Sequence, residues 1–230
     1  MNQYSGDIND YLENNACEIL DDCLNGLYVI KRNNLTANTI DLKVCDNNEK
    51  ILCTIDVQYS MNFAKYRDVR IDLMSAGIFK TENSKPIWQL NRDISNASNS
   101  LEKFKSLFDI QKYGKYFQPD AKDMLGIFYY FYNGEFQKNV RNFQSYPTDF
   151  YFFLPKRIVL KEIKENPNLI IKINDKHKNG IFESHHSAFA CFNIKDLVEK
   201  YDLPRFYNKQ DLCDNFSFLL ENELKEYLIR

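Results

Sequence analysis

Glycine is scarce in this 230-residue chain, seven in all. That argues against a Gly-rich phosphate-cradling loop as the organising motif. Tryptophan occurs once and histidine three times. Ser75, Ser184 and Ser187 have no nucleophile-elbow context, so serine hydrolysis is not expected. The six cysteines, at 17, 23, 45, 53, 191 and 213, include no pair at metal-finger spacing. They read as reduced, mostly buried thiols of a cytosolic protein, with a secreted disulfide framework as the lesser alternative. No apolar run approaches the roughly 18 residues of a membrane span. The first residues, MNQYSGDINDY, show no basic or apolar leader, so no signal peptide and a cytoplasmic location are expected. Net charge is −2. Any contact with nucleic acid must therefore come from a local patch.

What the chain does have is apolar and aromatic surface. Hydrophobic residues make up 44% and aromatics 15%, almost all Phe and Tyr. That is enough for one large domain over residues 1–230 with a well-filled core. Residues 5–25 have helical periodicity, with Ile8, Leu12, Ala16, Ile19, Leu20 and Cys23 on one side and Glu13 beside the row. Residues 39–60, TIDLKVCDNNEKILCTIDVQYS, alternate with period two on either side of an Asp46–Glu49 turn, which predicts a hairpin. With Asn47 and Asn48 at its tip, Asp41 opposes Thr54. Asp41, Thr54, Asp56 and Gln58 then project from one face, with the two carboxylates diagonal at roughly 7 Å. Converging carboxylates suit one hard divalent cation, Mg²⁺ or Mn²⁺.

Further along, 27–31 and 68–76 read as strands. Residues 80–100, rich in Asn and Ser, read as an irregular surface excursion. LGIFYYFYN (125–133) and DFYFFLP (149–155) read as strands buried on both faces, in the middle of a mixed sheet. Helices are expected at 101–108, 158–165, 195–201 and 210–228. Strands are expected at 168–174 and 181–194, around a Lys178-Asn179-Gly180 turn. The order argues for a mixed α/β or α+β fold. Residues 156–180 carry seven basic residues against three acidic. Lys156, Arg157 and Lys161, with Lys112 and Lys115, are candidates to track a phosphate backbone. His185 and His186 point to opposite faces of their strand, which fits a strand-edge or DNA-contact role better than catalysis.

Taken together, Glu13-x-x-Ala16-x-x-x-Leu20, VIKRNN (29–34), TIDLKV (39–44) and ILCTIDVQ (51–58) resemble the PD-(D/E)xK nuclease superfamily, in particular its Holliday-junction-resolvase-like members. The likeness covers about the first third of the chain. Those proteins show a helix Glu, an Arg-Asn connection, an Ile-Asp-Leu strand and a strand ending in Glu-Val-Lys. The resemblance implies a restriction-endonuclease-like central mixed sheet flanked by helices. It also implies metal-dependent hydrolysis of duplex or branched DNA, in a restriction, phage or mobile-element setting. Asp41 and Asp56 would be the metal ligands, with the Val57 carbonyl and Glu13 completing the set. Gln58 stands where Lys usually stands, and Asp replaces Glu at 56. Lys43, Lys65 or Arg70 would supply the missing positive charge. Palindromic cleavage would call for a homodimer. The alternative is a nuclease-fold DNA-binding protein that no longer cleaves. A structural protein with no nucleic-acid role is the third reading.

Overall fold

The computed structural model describes residues 3–24, 26–33, 40–60, 67–81, 85–131, 150–174 and 185–228. The chain forms two compact units. Met1–Arg67, Asp123–Arg157 and Val198–Arg230 make the first, and Asp68–Lys122 with Ile158–Leu197 make the second.

The first unit opens with helix α1 (Gln3–Leu24) and strands β1 (Val29–Arg32), β2 (Leu42–Cys45) and β3 (Ile51–Ser60). Gly26 follows the helix with φ 79°, a left-handed conformation that glycine adopts without steric penalty. Two aromatic strands, β6 (Met124–Phe131) and β7 (Phe150–Pro155), join the sheet together with the short β10 (Arg205–Phe206). Helix α6 (Lys209–Leu228) closes the chain. The six strands run in the order β1-β2-β3-β6-β7-β10. Every pairing is antiparallel except β3 with β6, which is parallel. The mixed α/β architecture expected from the sequence is present. All eight residues of β6 are buried, as its unbroken apolar run requires.

Period-two alternation gives this sheet two faces. Leu42, Val44, Cys53, Ile55, Phe128, Tyr130 and Phe153 lie on one face. They share a core with Leu12, Ala16 and Leu20 of α1 and with Leu212, Phe216 and Leu220 of α6. Phe128 and Phe153 both meet Phe216 edge-on, at 6.3 and 5.8 Å between ring centroids. Each fully buried aromatic of this kind contributes about 2–3 kcal/mol of transfer free energy. Tyr129, Phe131, Phe150 and Phe152 project from the opposite face, with the Phe131 and Phe150 rings stacked at 4.7 Å. Asp56 and Gln58 belong to that second face, since they pair with Ile127 and Tyr129.

The hairpin register differs from the expected one by two residues: Lys43, not Asp41, opposes Thr54. The tip is the reason. One Asp46 carboxylate oxygen accepts from the amides of Asn48 and Lys50, Glu49 takes φ 63°, and a bulge falls between Val44 and Cys45. These features make a five-residue turn where Asn47-Asn48 suggested two. Thr39 lies outside the described residues.

The second unit carries a four-stranded antiparallel sheet, β5-β4-β9-β8, from β4 (Asp68–Phe79), β5 (Phe108–Tyr113), β8 (Ile170–Asn174) and β9 (His186–Asn193). Helices α2 (Ile87–Ser95) and α3 (Ser100–Leu107) belong to it. Helix α4 (Lys156–Glu165) enters it from the first unit, and α5 (Ile194–Tyr201) leads out of it. Residues 80–100 therefore contain a helix rather than wholly irregular chain. Leu90 and Ile94 bury its apolar stripe. Asn91 uses its amide as a surrogate strand. It accepts from the Ile173 N–H at 2.7 Å and donates to the Ile173 carbonyl at 3.2 Å, which blunts the β8 edge. The Lys178-Asn179-Gly180 turn and Glu183 lie outside the described residues.

Among the described residues no helix is long and apolar enough to cross a membrane. Cys23 of α1 and Cys213 of α6 form a disulfide, which corrects the expectation that all six cysteines are reduced. Their helices share one core face, and that brings together thiols 190 positions apart.

Candidate metal centre

Asn33 follows β1 and pins the chain just before β2. Its backbone N–H donates to the Asp41 carbonyl at 2.7 Å, and its side-chain amide donates to the Ile40 carbonyl at 2.9 Å. Asp41 is held as β2 begins. Its Oδ2 accepts the backbone N–H of Val57 at 2.8 Å, so a carboxylate replaces the strand carbonyl that would otherwise sit there. The N–H and C=O of a strand residue point the same way. The Val57 carbonyl is therefore directed toward the Asp41 side of β3.

Lys43 opposes Thr54. Extending that register by two residues sets Asp41 opposite Asp56, on one face, where directly opposed Cβ atoms sit about 5 Å apart. The ladder itself ends at Leu42 opposite Ile55, so direct opposition, rather than the diagonal the sequence suggested, follows only from continuing it one position. Asp56 is buried at 2% exposure, and Gln58 Nε2 donates to its Oδ2 at 2.9 Å. Thr54 lies on the same face with a buried hydroxyl that finds no hydrogen-bond partner among the described residues. Along β3, Thr54 begins the parallel pairing with β6, and Asp56 and Gln58 follow within it, opposite Ile127 and Tyr129.

Among the described residues no three His, Cys, Asp or Glu side chains converge on one point. Two carboxylates, a backbone carbonyl and a hydroxyl are a hard-oxygen set. They suit Mg²⁺ or Mn²⁺, which keep several waters, and lack the nitrogen and sulfur donors of a structural zinc site.

The other expected residues belong to several elements. Glu13 is on α1, on the core side of the sheet, where its Oε2 accepts from Arg32 Nη2 at 2.6 Å. Asp10 and Asn14 accept from the same guanidinium, and the Asp10 bond in particular holds Arg32 above its usual pKa. Lys43 shares the face of Asp41 and Asp56. Arg70 is in the second unit, ion-paired with Asp68 and stacked 5.1 Å over Phe189. Lys161, also in that unit, is exposed on α4. Lys65 lies outside the described residues. Burial pushes the Lys156 ammonium below its usual range, against the opposing pull of Asp123.

Arg157 grips Glu223 with two parallel bonds, Nε to Oε2 at 2.7 Å and Nη2 to Oε1 at 2.6 Å. Glu223 is 4% exposed. Arg157→Met strands that buried carboxylate and is expected to cost about 2–4 kcal/mol in denaturant unfolding. The double variant Arg157→Met/Glu223→Leu should recover most of the loss. A phosphate-contact role would give the reverse, parental stability with weakened DNA binding.

The sequence pointed to Asp41, Asp56, Val57 and Gln58 but gave Asn33 no role. Its signal was the Arg-Asn pair after a short strand, which read as a polar connection. No protein-family model, curated protein or solved structure matches this chain.

Proposed function

We propose that this chain is a metal-dependent DNA endonuclease of PD-(D/E)xK type, cytoplasmic, acting in a restriction, phage or mobile-element setting. The observation that supports the reading is the Asp41 carboxylate hydrogen-bonded to the Val57 amide, next along β3 to the buried Asp56, whose own carboxylate accepts from Gln58. Asp41, Asp56 and the Val57 carbonyl would hold Mg²⁺ or Mn²⁺. When bound, the cation supplies an activated water and screens the phosphate charge. Val57 fixes the Asp41 carboxylate through its N–H, and Gln58 fixes that of Asp56. Neither ligand needs to reorganise when substrate arrives, which lowers the barrier. Asn33 positions Asp41 from behind.

The decisive experiment is cleavage of supercoiled plasmid, branched duplex and single-stranded DNA in Mg²⁺, Mn²⁺ or chelator. Metal-dependent strand scission is expected. Its absence on every substrate would remove the reading. One observation favours a second reading, a DNA-binding protein that has lost cleavage. Gln58 is neutral, and its amide is bonded to Asp56. Salt-dependent DNA binding without scission would favour it.

A further inference from the structure

We infer that the outer face of the second unit's sheet binds single-stranded nucleic acid at an unpaired guanine, stacked on Phe189 with Lys172 and Asp72 on either side. Alternation gives that sheet two faces. Val69, Ile71, Ile171, Ile173, Ala190 and Phe192 are buried on one. On the other, three neighbouring strands present two transverse rows. Lys172 of β8, Phe189 of β9 and Asp72 of β4 stand directly opposite one another in the first row. Ile170, Cys191 and Arg70 do so in the second. Lys172, Asp72, Ile170 and Arg70 are exposed, and Phe189 is half-buried.

The first row reads cation, ring, carboxylate. Adjacent strands lie about 4.8 Å apart, so the row runs across about 10 Å. That layout suits one nucleotide: the base stacks on the ring, its phosphate meets the ammonium, and its outer edge meets the carboxylate. Asp72 selects the base. A carboxylate only accepts hydrogen bonds, through two oxygens. Guanine offers two adjacent donors, N1–H and the N2 amine, along the edge that pairing would hide. Adenine and cytosine offer one amine beside an acceptor nitrogen. Uracil and thymine offer one N–H between two carbonyls, which a carboxylate repels.

Arg70 is ion-paired with Asp68, and its guanidinium lies 5.1 Å over the Phe189 ring. The ring thus already serves one flat group as a platform. A base enters the same stack with the guanidinium beside it, as a second cation for the backbone. The surrounding charge has the matching sign. The second unit contains fifteen Lys and Arg against twelve Asp and Glu, whereas the first contains fifteen against twenty. A merely solvated face would account for the charged residues. It would not account for a half-buried ring and an isoleucine at 50% exposure among them. No bond is made or broken here, and the inference does not rest on the nuclease reading.

The test is fluorescence anisotropy of the full chain with short labelled strands in chelator, as DNA and as RNA. The probes are a plain thymidine or uridine tract, the same tract with one guanine, the same with inosine in its place, and the guanine strand annealed to its complement. The guanine strand should bind about tenfold more tightly than the plain tract. Inosine, which lacks only the amine, should lose about fivefold. The annealed duplex should bind more weakly than the free strand. Phe189→Leu should lose about tenfold or more, and Phe189→Trp should keep the parental affinity. Lys172→Gln should lower the slope of log affinity against log salt by about 0.7. Asp72→Asn should hold the plain tract as tightly as the parent and lose the preference for guanine. Guanine-dependent binding of either form supports the proposal, and the tighter form names the sugar. Equal affinity for duplex and single strand, binding unmoved by Phe189→Leu, a guanine preference that survives Asp72→Asn, or no binding to any strand would overturn it. So would a Phe189→Leu variant that melts lower and loses affinity for every probe alike, since the ring would then be structural. None of these readings involves cleavage, so this site can fail while the nuclease stands, and can hold in a chain that cuts nothing.

Discussion

Asp56→Asn is expected to abolish metal-dependent cleavage, by about 1000-fold or more, while making the metal-free protein more stable. The opposite signs follow from one geometry. In the proposed site, two carboxylates that share one face without a cation would repel. The Asn oxygen still accepts from Gln58 Nε2, so the packing of β3 survives while one of the two like charges is gone. A gain of about 0.5–2 kcal/mol is expected, which for a chain of this length raises the melting temperature by roughly 1–8 °C in chelator. Adding Mn²⁺ should stabilise the parental protein, by about 2.7 kcal/mol at a hundred times the dissociation constant, and leave the variant unmoved. Asp41→Asn should behave alike, since an Asn oxygen can also accept the Val57 N–H. Melting curves with and without metal read all of this without a DNA substrate. A variant that melts lower in chelator and still responds to Mn²⁺ would show that the pair is an ordinary polar contact.

That geometry was partly legible in the sequence, for a definite reason. The hairpin tip differs from the one the turn residues predict, and the pairing is shifted by two residues. A slip of two preserves the face of every side chain, whereas a slip of one inverts it. Lys43, Thr54, Asp56 and Gln58 therefore keep their face under either register. The tip was illegible because Asn47-Asn48 is a strong two-residue turn signal. The actual turn instead depends on the Asp46 carboxylate and on Glu49 in a left-handed conformation.

Strand existence was easier to read than strand partnership. The alternation at Val69, Ile71 and Leu73 marked β4, and the HSAFACFN run marked β9. Nothing local revealed that Asp68 would pair with Asn193, or that the two strands would build a second sheet. Long-range pairing is chosen by which apolar faces remain to be covered, and a single strand does not carry that information. Charge was legible as a count and illegible as a role. Arg157 contributes to the basic run of 156–180, yet its guanidinium is committed to a buried glutamate 66 positions away. Glu13 was visible at the flank of the α1 stripe, but its partner Arg32 was fixed only when β1 packed beside that helix.

Reduction of the bond between Cys23 and Cys213 is expected to lower the melting temperature more than any other change of conditions. The bond links α1 to α6 across 190 positions. In the chain-entropy account a closed loop of that size costs the unfolded state about 5 kcal/mol of freedom, equivalent to roughly 10–20 °C here. Both helices should stay docked after reduction, because Leu12, Leu20, Leu212, Phe216 and Leu220 remain buried between them and the sheet. The loss should therefore appear in stability and not in cleavage, and Cys213→Ser should reproduce it without further response to reductant. Thiol counting checks the premise directly. Denatured protein should take up four equivalents of iodoacetamide before reduction and six after. In the native state Cys53 and Cys191 should resist labelling, since burial pushes both thiols up to about 12. Six equivalents without reductant would mean that the two sulfurs are neighbours and nothing more. The reducing cytoplasm expected for this chain would then be its natural setting. Four equivalents from freshly lysed, alkylated cells would place the bond in the living cell, and would weigh against a reducing compartment more heavily than any feature of the sequence weighs for one.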